Sequence, residues 1–196
     1  MSPRPNWETV VCIASGPSLT KADCDLVEAS GLPAIAVNNS WQLAPFAQVI
    51  YAGDSDWWSQ HIREIDIPAE RWTCNKGAAR WYRLNYHPAV GYWNSGLRAV
   101  QFALWQGAHR VILLGYDCSV EHGTHWHGDH PNGNNPTPAK CREWIKQFEK
   151  LPRGQIINSS RRSALTCFDR LSLEDSLSRA CRGWGTASIN VLSSDS

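Results

Sequence analysis

Charge of one sign is in short supply in this sequence: 19 Lys and Arg stand against 18 Asp and Glu, leaving a formal net charge of +1. No basic run is longer than Arg161–Arg162, so no field is built to hold a nucleic-acid backbone or an anionic membrane. Long apolar runs are missing too. No window approaches the roughly 20 apolar residues that a spanning helix needs, and Met1–Glu8 lacks the apolar segment of a signal peptide. Cys-x-x-Cys pairs are absent, and the seven cysteines are odd in number and scattered. That excludes a legible disulfide framework or structural zinc site, and a reduced, cytoplasmic setting is expected. Neither Gly-x-Gly-x-x-Gly nor a Walker A motif occurs, so no standard phosphate loop stands out.

What is present suits a single domain over residues 1–196. The chain is 42% hydrophobic and 19% charged, enough apolar material to fill a core. Tryptophan is abundant, with 11 residues. The plain reading is core and partner surface. The sharper one is a stacking platform for a sugar or base, for which Trp57, Trp58 and Trp126 are the candidates because they sit near loop ends.

Short β-branched runs alternate with helical stretches. Strands are expected at Thr9–Ala14, Ala34–Val37, Gln48–Tyr51, Arg110–Leu114 and Gln155–Ile157, with one more near Arg71–Cys74. Helices are expected at Asp23–Ala29, Ser55–Arg63, from Asn94 to Gln106, at Pro138–Lys150 behind an N-cap Thr137, and at Leu171–Ala180. A short helical piece is expected around Trp41–Ala44, and the tail Ser193–Ser196 is expected to fray. This alternation predicts an α/β, Rossmann-like fold with a mainly parallel sheet and helices on both faces. Residues 118–137 show no periodicity and read as a long lid-like loop rich in His, Gly, Asn and Pro.

Ligands of such sheets lie beyond the carboxyl ends of the strands. The residues expected there are Ser15, Gly16, Pro17 and Ser18, then Asn38 and Asn39, then Asp54, then Asn94, Ser95 and Gly96 before a helix, then Gly115, Tyr116 and Asp117. Gly16 would let the backbone approach a phosphate, so a side chain there is expected to block a ligand while sparing the fold. Asn38 and Asn39 offer a donor and an acceptor to a base or ribose edge. A strand-to-helix turn, a tight turn and a helix cap are the purely structural readings of these segments.

The sharpest local feature is the loop's histidine cluster, which holds four of the chain's seven histidines. Thr124-His-Trp-His-Gly-Asp-His130 looks like the zinc signature of the metallo-β-lactamase superfamily, with His125, His127, Asp129 and His130 as the metal candidates. That superfamily needs further His ligands downstream, and no His follows His130. A metal-dependent hydrolase is therefore the last-ranked reading.

In order, these segments resemble the bacterial sialyltransferases of glycosyltransferase family 42, and a related group that includes archaeal pterin diphosphokinase-like proteins. The carrying residues are Gly16-Pro17-Ser18-Leu19, Asn38, Ser95-Gly96, Gly115-Tyr116-Asp117, the histidine loop and Asn158-Ser159. The resemblance implies a nucleotide-sugar-dependent transferase, inverting and needing no metal. Its donor would be a CMP-sugar-like co-substrate and its acceptor is unidentified. It also implies a catalytic His, taken first as His127, then His130, then His125, with Asp117 and Asp54 orienting hydroxyls. The sequence departs from the family at Ser15 and Asp54, where the family has Asn, and at Ser119, where tyrosines assist the leaving phosphate. The second reading is diphosphate transfer from ATP with Mg²⁺ on Asp54, Asp56 and Asp117. The third is a nucleotide-binding protein without turnover. No nucleic-acid or membrane partner is expected, and a homo-oligomer stays open.

Overall fold

The computed structural model describes residues 7–89, 91, 94–130 and 135–183. Among the described residues, eight strands form one sheet: β1 (Thr9–Ile13), β2 (Ala34–Val37), β3 (Val49–Tyr51), β4 (Glu70–Thr73), β5 (Asn85–Tyr86), β6 (Arg110–Leu114), β7 (Ile156–Asn158) and β8 (Asp169–Arg170). Their order across the sheet is β5-β4-β3-β2-β1-β6-β7-β8, and every pairing is parallel. Among the described residues, five α-helices lie between strands, α1 (Lys21–Ser30), α2 (Ser55–His61), α3 (Lys76–Tyr82), α4 (Ser95–Trp105) and α5 (Pro138–Phe148), and a sixth, α6 (Leu173–Arg182), follows β8. This is the Rossmann-like α/β arrangement.

The central strands are buried on both faces, as parallel strands between helices must be. Alternate residues of β1 divide between two cores. Val10 and Cys12 join Val111, Leu113, Leu97, Phe102 and Phe148, which places α4 and α5 on one face. Val11 and Ile13 join Ile112, Leu114, Val27, Trp58, Ala78 and Leu177, which places α1, α2, α3 and α6 on the other. Trp57 and Trp58 belong to this second core, and their indole N–H groups are bonded to Asn39 Oδ1 and the Ala52 carbonyl. The expected stacking platform at these two rings is therefore absent: both are packing residues.

Local chemistry explains the boundaries. Thr20 and Asp23 form a reciprocal capping box at the start of α1, and Gly31 closes that helix with φ 69°. Thr137 caps α5 through Lys140 N with Pro138 at the first position, as expected. The helical piece expected at Trp41–Ala44 is a 3-10 turn displaced to Asn38–Gln42. Three elements escape the sequence pattern: α3, β5 and β8. The two strands have two residues each, too few to display a period. Helix α3 opens on Lys-Gly and is carried by its N-cap Asn75. The tail Ser193–Ser196 lies outside the described residues. Among the described residues no helix is long and apolar enough to cross a membrane.

Candidate functional site

The strand order reverses between β1 and β6, because β2 to β5 extend from one side of β1 and β6 to β8 from the other. A crevice forms at such a reversal, outside the carboxyl ends of the strands. Here it is a cleft of about 120 Å³. Of the residues expected from the sequence, Ser15, Gly16, Pro17, Asn38, Asn94, Ser95, Gly96, Gly115, Tyr116, Asp117 and His125 line it. The expected lid-like loop 118–137 adds Cys118, Ser119, Thr124 and Pro136, strands β1 and β2 add Ala14 and Val37 at their ends, and sequence reasoning missed Cys141, Trp144 and Phe148 of α5. The α5 wall is contributed by a helix distant in sequence. Its only local signal was amphipathicity, which marks a packed face and not a site.

The floor is two glycines pressed together. β1 and β6 run in register from Thr9–Arg110 to Ile13–Leu114. Ala14 N and Gly16 N then continue the ladder to the carbonyls of Leu114 and Gly115, both at 2.8 Å. A Cβ on Gly16 would lie 2.4 Å from Gly115 O and 2.5 Å from Asp117 Oδ1, and one on Gly115 would lie 2.4 Å from Ala14 O. Gly16 therefore serves the close approach of two chain segments. The expectation that a side chain at Gly16 spares the fold is corrected: the space it would enter is already filled by backbone.

Asp117 locks the same turn. Its Oδ2 accepts from Ser18 N at 2.8 Å and its Oδ1 from Ser18 Oγ at 2.7 Å. Burial pushes its carboxyl up from the usual range, opposed by the two Ser18 hydrogen bonds. Each oxygen accepts one Ser18 hydrogen bond, so Asp117 shapes the turn while still lining the cleft. Ser18 is turned to Asp117 and leaves the cleft wall, as does Asn39, whose Oδ1 accepts from Trp57 Nε1 at 2.6 Å. Asp54 is exposed beside the cleft, reached by Ser95 Oγ at 3.4 Å. These three placements correct the expected ligand set.

Asn38 is different. Its backbone has φ 50°, in the left-handed region that non-glycine residues seldom enter. Its Oδ1 is buried without a hydrogen-bond partner. Strain and an orphaned acceptor coincide on one cleft residue. Cys118, which also lines the cleft, has φ 49°. The α4 N-terminus faces the same space. Asn94 Oδ1 caps it through Leu97 N at 2.8 Å, Ser95 Oγ accepts from Gly53 N at 2.9 Å, and Tyr116 Oη donates to Gly96 O at 3.0 Å. The tyrosine thus pins the helix start to the end of β6.

The histidine loop covers this floor. Trp126 N donates to Ser15 O at 3.1 Å, and His125 Nδ1 lies 3.0 Å from Ser15 Oγ. Asn135 bonds His130 N at 2.7 Å and His130 O at 3.3 Å. The rings of His125 and His127 stack at 5.0 Å with a 10° angle, and His130 lies 4.7 Å and 5.0 Å from the two. Burial, followed by the neighbouring imidazoles, pushes His125 down to about 4. Burial also lowers His127 and His130, with His130 depressing His127 and His61 of α2 depressing His130. In all three, burial favours the neutral ring. Of the three, His125 alone lines the cleft. Asp129 is exposed and accepts from Thr124 Oγ1, outside the imidazole group, which corrects its place among the metal candidates. The carboxylates Asp54, Asp56 and Asp117 form no cluster: among the described residues the three histidines are the group gathered tightly enough to hold a metal ion.

No protein-family model, curated protein or solved structure matches this chain.

Proposed function

We propose that this protein binds a nucleotide in the β1/β6 cleft and transfers a group from it, with glycosyl transfer from a nucleotide-activated sugar as the reaction class. Asn38 is the observation that carries the reading. A strained backbone holding an unpartnered, buried Oδ1 at the wall of a strand-end cleft leaves an acceptor ready for a base or ribose donor. The N-terminus of α4 supplies partial positive charge to the same space, suited to a phosphate. In an inverting transfer the acceptor hydroxyl attacks the anomeric carbon as the nucleotide phosphate leaves. Removal of the acceptor proton falls to the histidine loop, of which His125 faces the cleft. The cleft, about 120 Å³, is open to solvent on one side, so part of a bound nucleotide would extend beyond it.

The test is a thermal-shift and calorimetric series with CMP, a CMP-sugar, and ATP with Mg²⁺. A ligand at 100 times its Kd adds about 2.7 kcal/mol of stability. We expect a cytidine nucleotide to stabilise the protein without added metal. Asn38→Gly keeps the left-handed backbone and removes the amide, and should weaken that binding at least tenfold. Equal affinity in Asn38→Gly, or no nucleotide response at all, would remove the reading. Tight binding with no transfer to any acceptor would reduce it to nucleotide binding alone.

A further inference from the structure

We propose that His125, His127 and His130 form a site for a divalent transition metal of the zinc class, with three imidazole ligands and a fourth position open beside the cleft. One nitrogen from each ring lies within 4.8 Å of the others. Tetrahedral ligands at 2.0–2.1 Å from zinc stand about 3.3 Å apart, so modest ring rotations close the set onto one ion. Two nitrogens of the cluster are free to ligate. His125 Nε2 and His127 Nε2 are both buried with no hydrogen-bond partner. Packed against each other, the three rings give these nitrogens no protein partner, and a metal ion is the ligand that satisfies several imidazole lone pairs at once.

The surroundings fit the same reading. A ligating imidazole uses its second nitrogen to fix its orientation through an outer partner. His125 does so through Nδ1 and Ser15 Oγ, 3.0 Å apart. The loop that carries the ligands is tied down at both sides, by Trp126 N on Ser15 O and by Asn135 on both backbone groups of His130. The ligand chemistry selects the ion. Three imidazoles without carboxylate or thiolate suit Zn²⁺, Co²⁺, Ni²⁺ or Cu²⁺ and disfavour Mg²⁺ and Ca²⁺. Three-histidine zinc sites with an open fourth position hold a water or substrate oxygen there. The metal site itself stands independently of the nucleotide reading. Only its use in activating an acceptor hydroxyl rests on that reading, and it would then replace a free imidazole as the activating group.

The experiment is metal titration of the full chain after chelator treatment, without nucleotide. We expect one equivalent of Zn²⁺ per chain, and a Co²⁺ derivative with the intense visible absorption of a tetrahedral site. X-ray absorption should give nitrogen neighbours at about 2.0–2.1 Å. His127→Gln and His130→Gln should each lower Zn²⁺ affinity at least 100-fold. Ser15→Ala should lower it about tenfold by freeing the His125 ring. His122→Gln, in the same loop but outside the cluster, should leave it unchanged. Circular dichroism of each metal-free variant checks that folding is retained. If a Gln variant misfolds, Co²⁺ spectra of the wild-type chain decide alone. Failure to bind a stoichiometric ion, an octahedral cobalt spectrum, or equal losses in His122→Gln and His127→Gln would overturn the site. The nucleotide series uses metal-free protein and Asn38→Gly, so either result can fail without the other.

Discussion

At the scale of single residues, the cleft floor depends on the absence of side chains. Gly16 and Gly115 bring two strand ends so close that a Cβ at either would sit 2.4 Å from a carbonyl oxygen of the other strand's extension. Backbone cannot yield as a flexible side chain can. Gly16→Ala should therefore part the turn from Gly115 and strain the Ser18–Asp117 hydrogen bonds. We expect a loss of about 1–3 kcal/mol, the usual cost of forcing extra atoms into a packed site. Urea unfolding of the variant measures it, and an unshifted midpoint would mean that the turn has slack. Gly115→Ala should cost at least as much, since φ 72° adds backbone strain to the clash. Asn38 makes the contrasting case. Its left-handed backbone is tolerated because Asn is among the few side chains that accept it, so Asn38→Gly should leave stability within about 1 kcal/mol of wild type.

At the scale of elements, the cleft floor is assembled where the turns after β1, β2 and β6 meet the first turn of α4, with the histidine loop and α5 completing its walls. The cap of α4 links stability to binding. Asn94 Oδ1 accepts from Leu97 N at 2.8 Å while its residue lines the cleft. Asn94→Ala should cost about 1 kcal/mol and weaken nucleotide binding as the helix start frays. Asn94→Asp should keep the stability, because a carboxylate caps equally well and favours the positive helix end, yet it should weaken anion binding through like charge. A stability change of equal size in both variants would deny the cap its role. This cleft was legible in the sequence to the extent that strand ends were. β1, β2 and β6 are short, nearly unbroken apolar runs, so the residues following them could be read directly. Side-chain direction could not be read. Asn39 follows Asn38 by one residue but turns to Trp57, and Ser18 turns to Asp117. The α5 wall was hidden for a related reason: its residues face the cleft only because the sheet places β6 and β7 side by side.

At the scale of the whole molecule, buried neutral histidines make stability depend on pH. His87 is 3% exposed and packs edge-on to Phe102 at 5.6 Å, with its Nδ1 2.9 Å from Tyr51 Oη. Burial first, and the nearby Arg98 second, push it down to about 4 from the ordinary 6.5. The sign follows from which state holds the proton. Above pH 6.5 neither the folded nor the unfolded chain protonates this ring, and its contribution is constant. Between pH 6.5 and about 4 the unfolded chain takes up a proton that the folded chain refuses, so stability falls as the solution is acidified. Below about 4 both states are protonated and the loss levels off. Across the whole window a shift of this size corresponds to about 3 kcal/mol, of which about 2 kcal/mol falls between pH 7 and pH 5. His87→Gln removes the titrating group from both states, and the polar amide retains a partner for Tyr51 Oη. The variant should be less stable at pH 7, where the packed ring is lost. Its stability should then decline less between pH 7 and pH 5 than that of the wild type, by about 2 kcal/mol. Urea unfolding at the two pH values yields both numbers. The histidine loop also holds neutral rings, so some acid sensitivity will persist in His87→Gln. The quantity that decides is the difference between the two proteins. If the wild type and the variant lose the same stability between pH 7 and pH 5, the ring at position 87 is not the buried proton-excluding group.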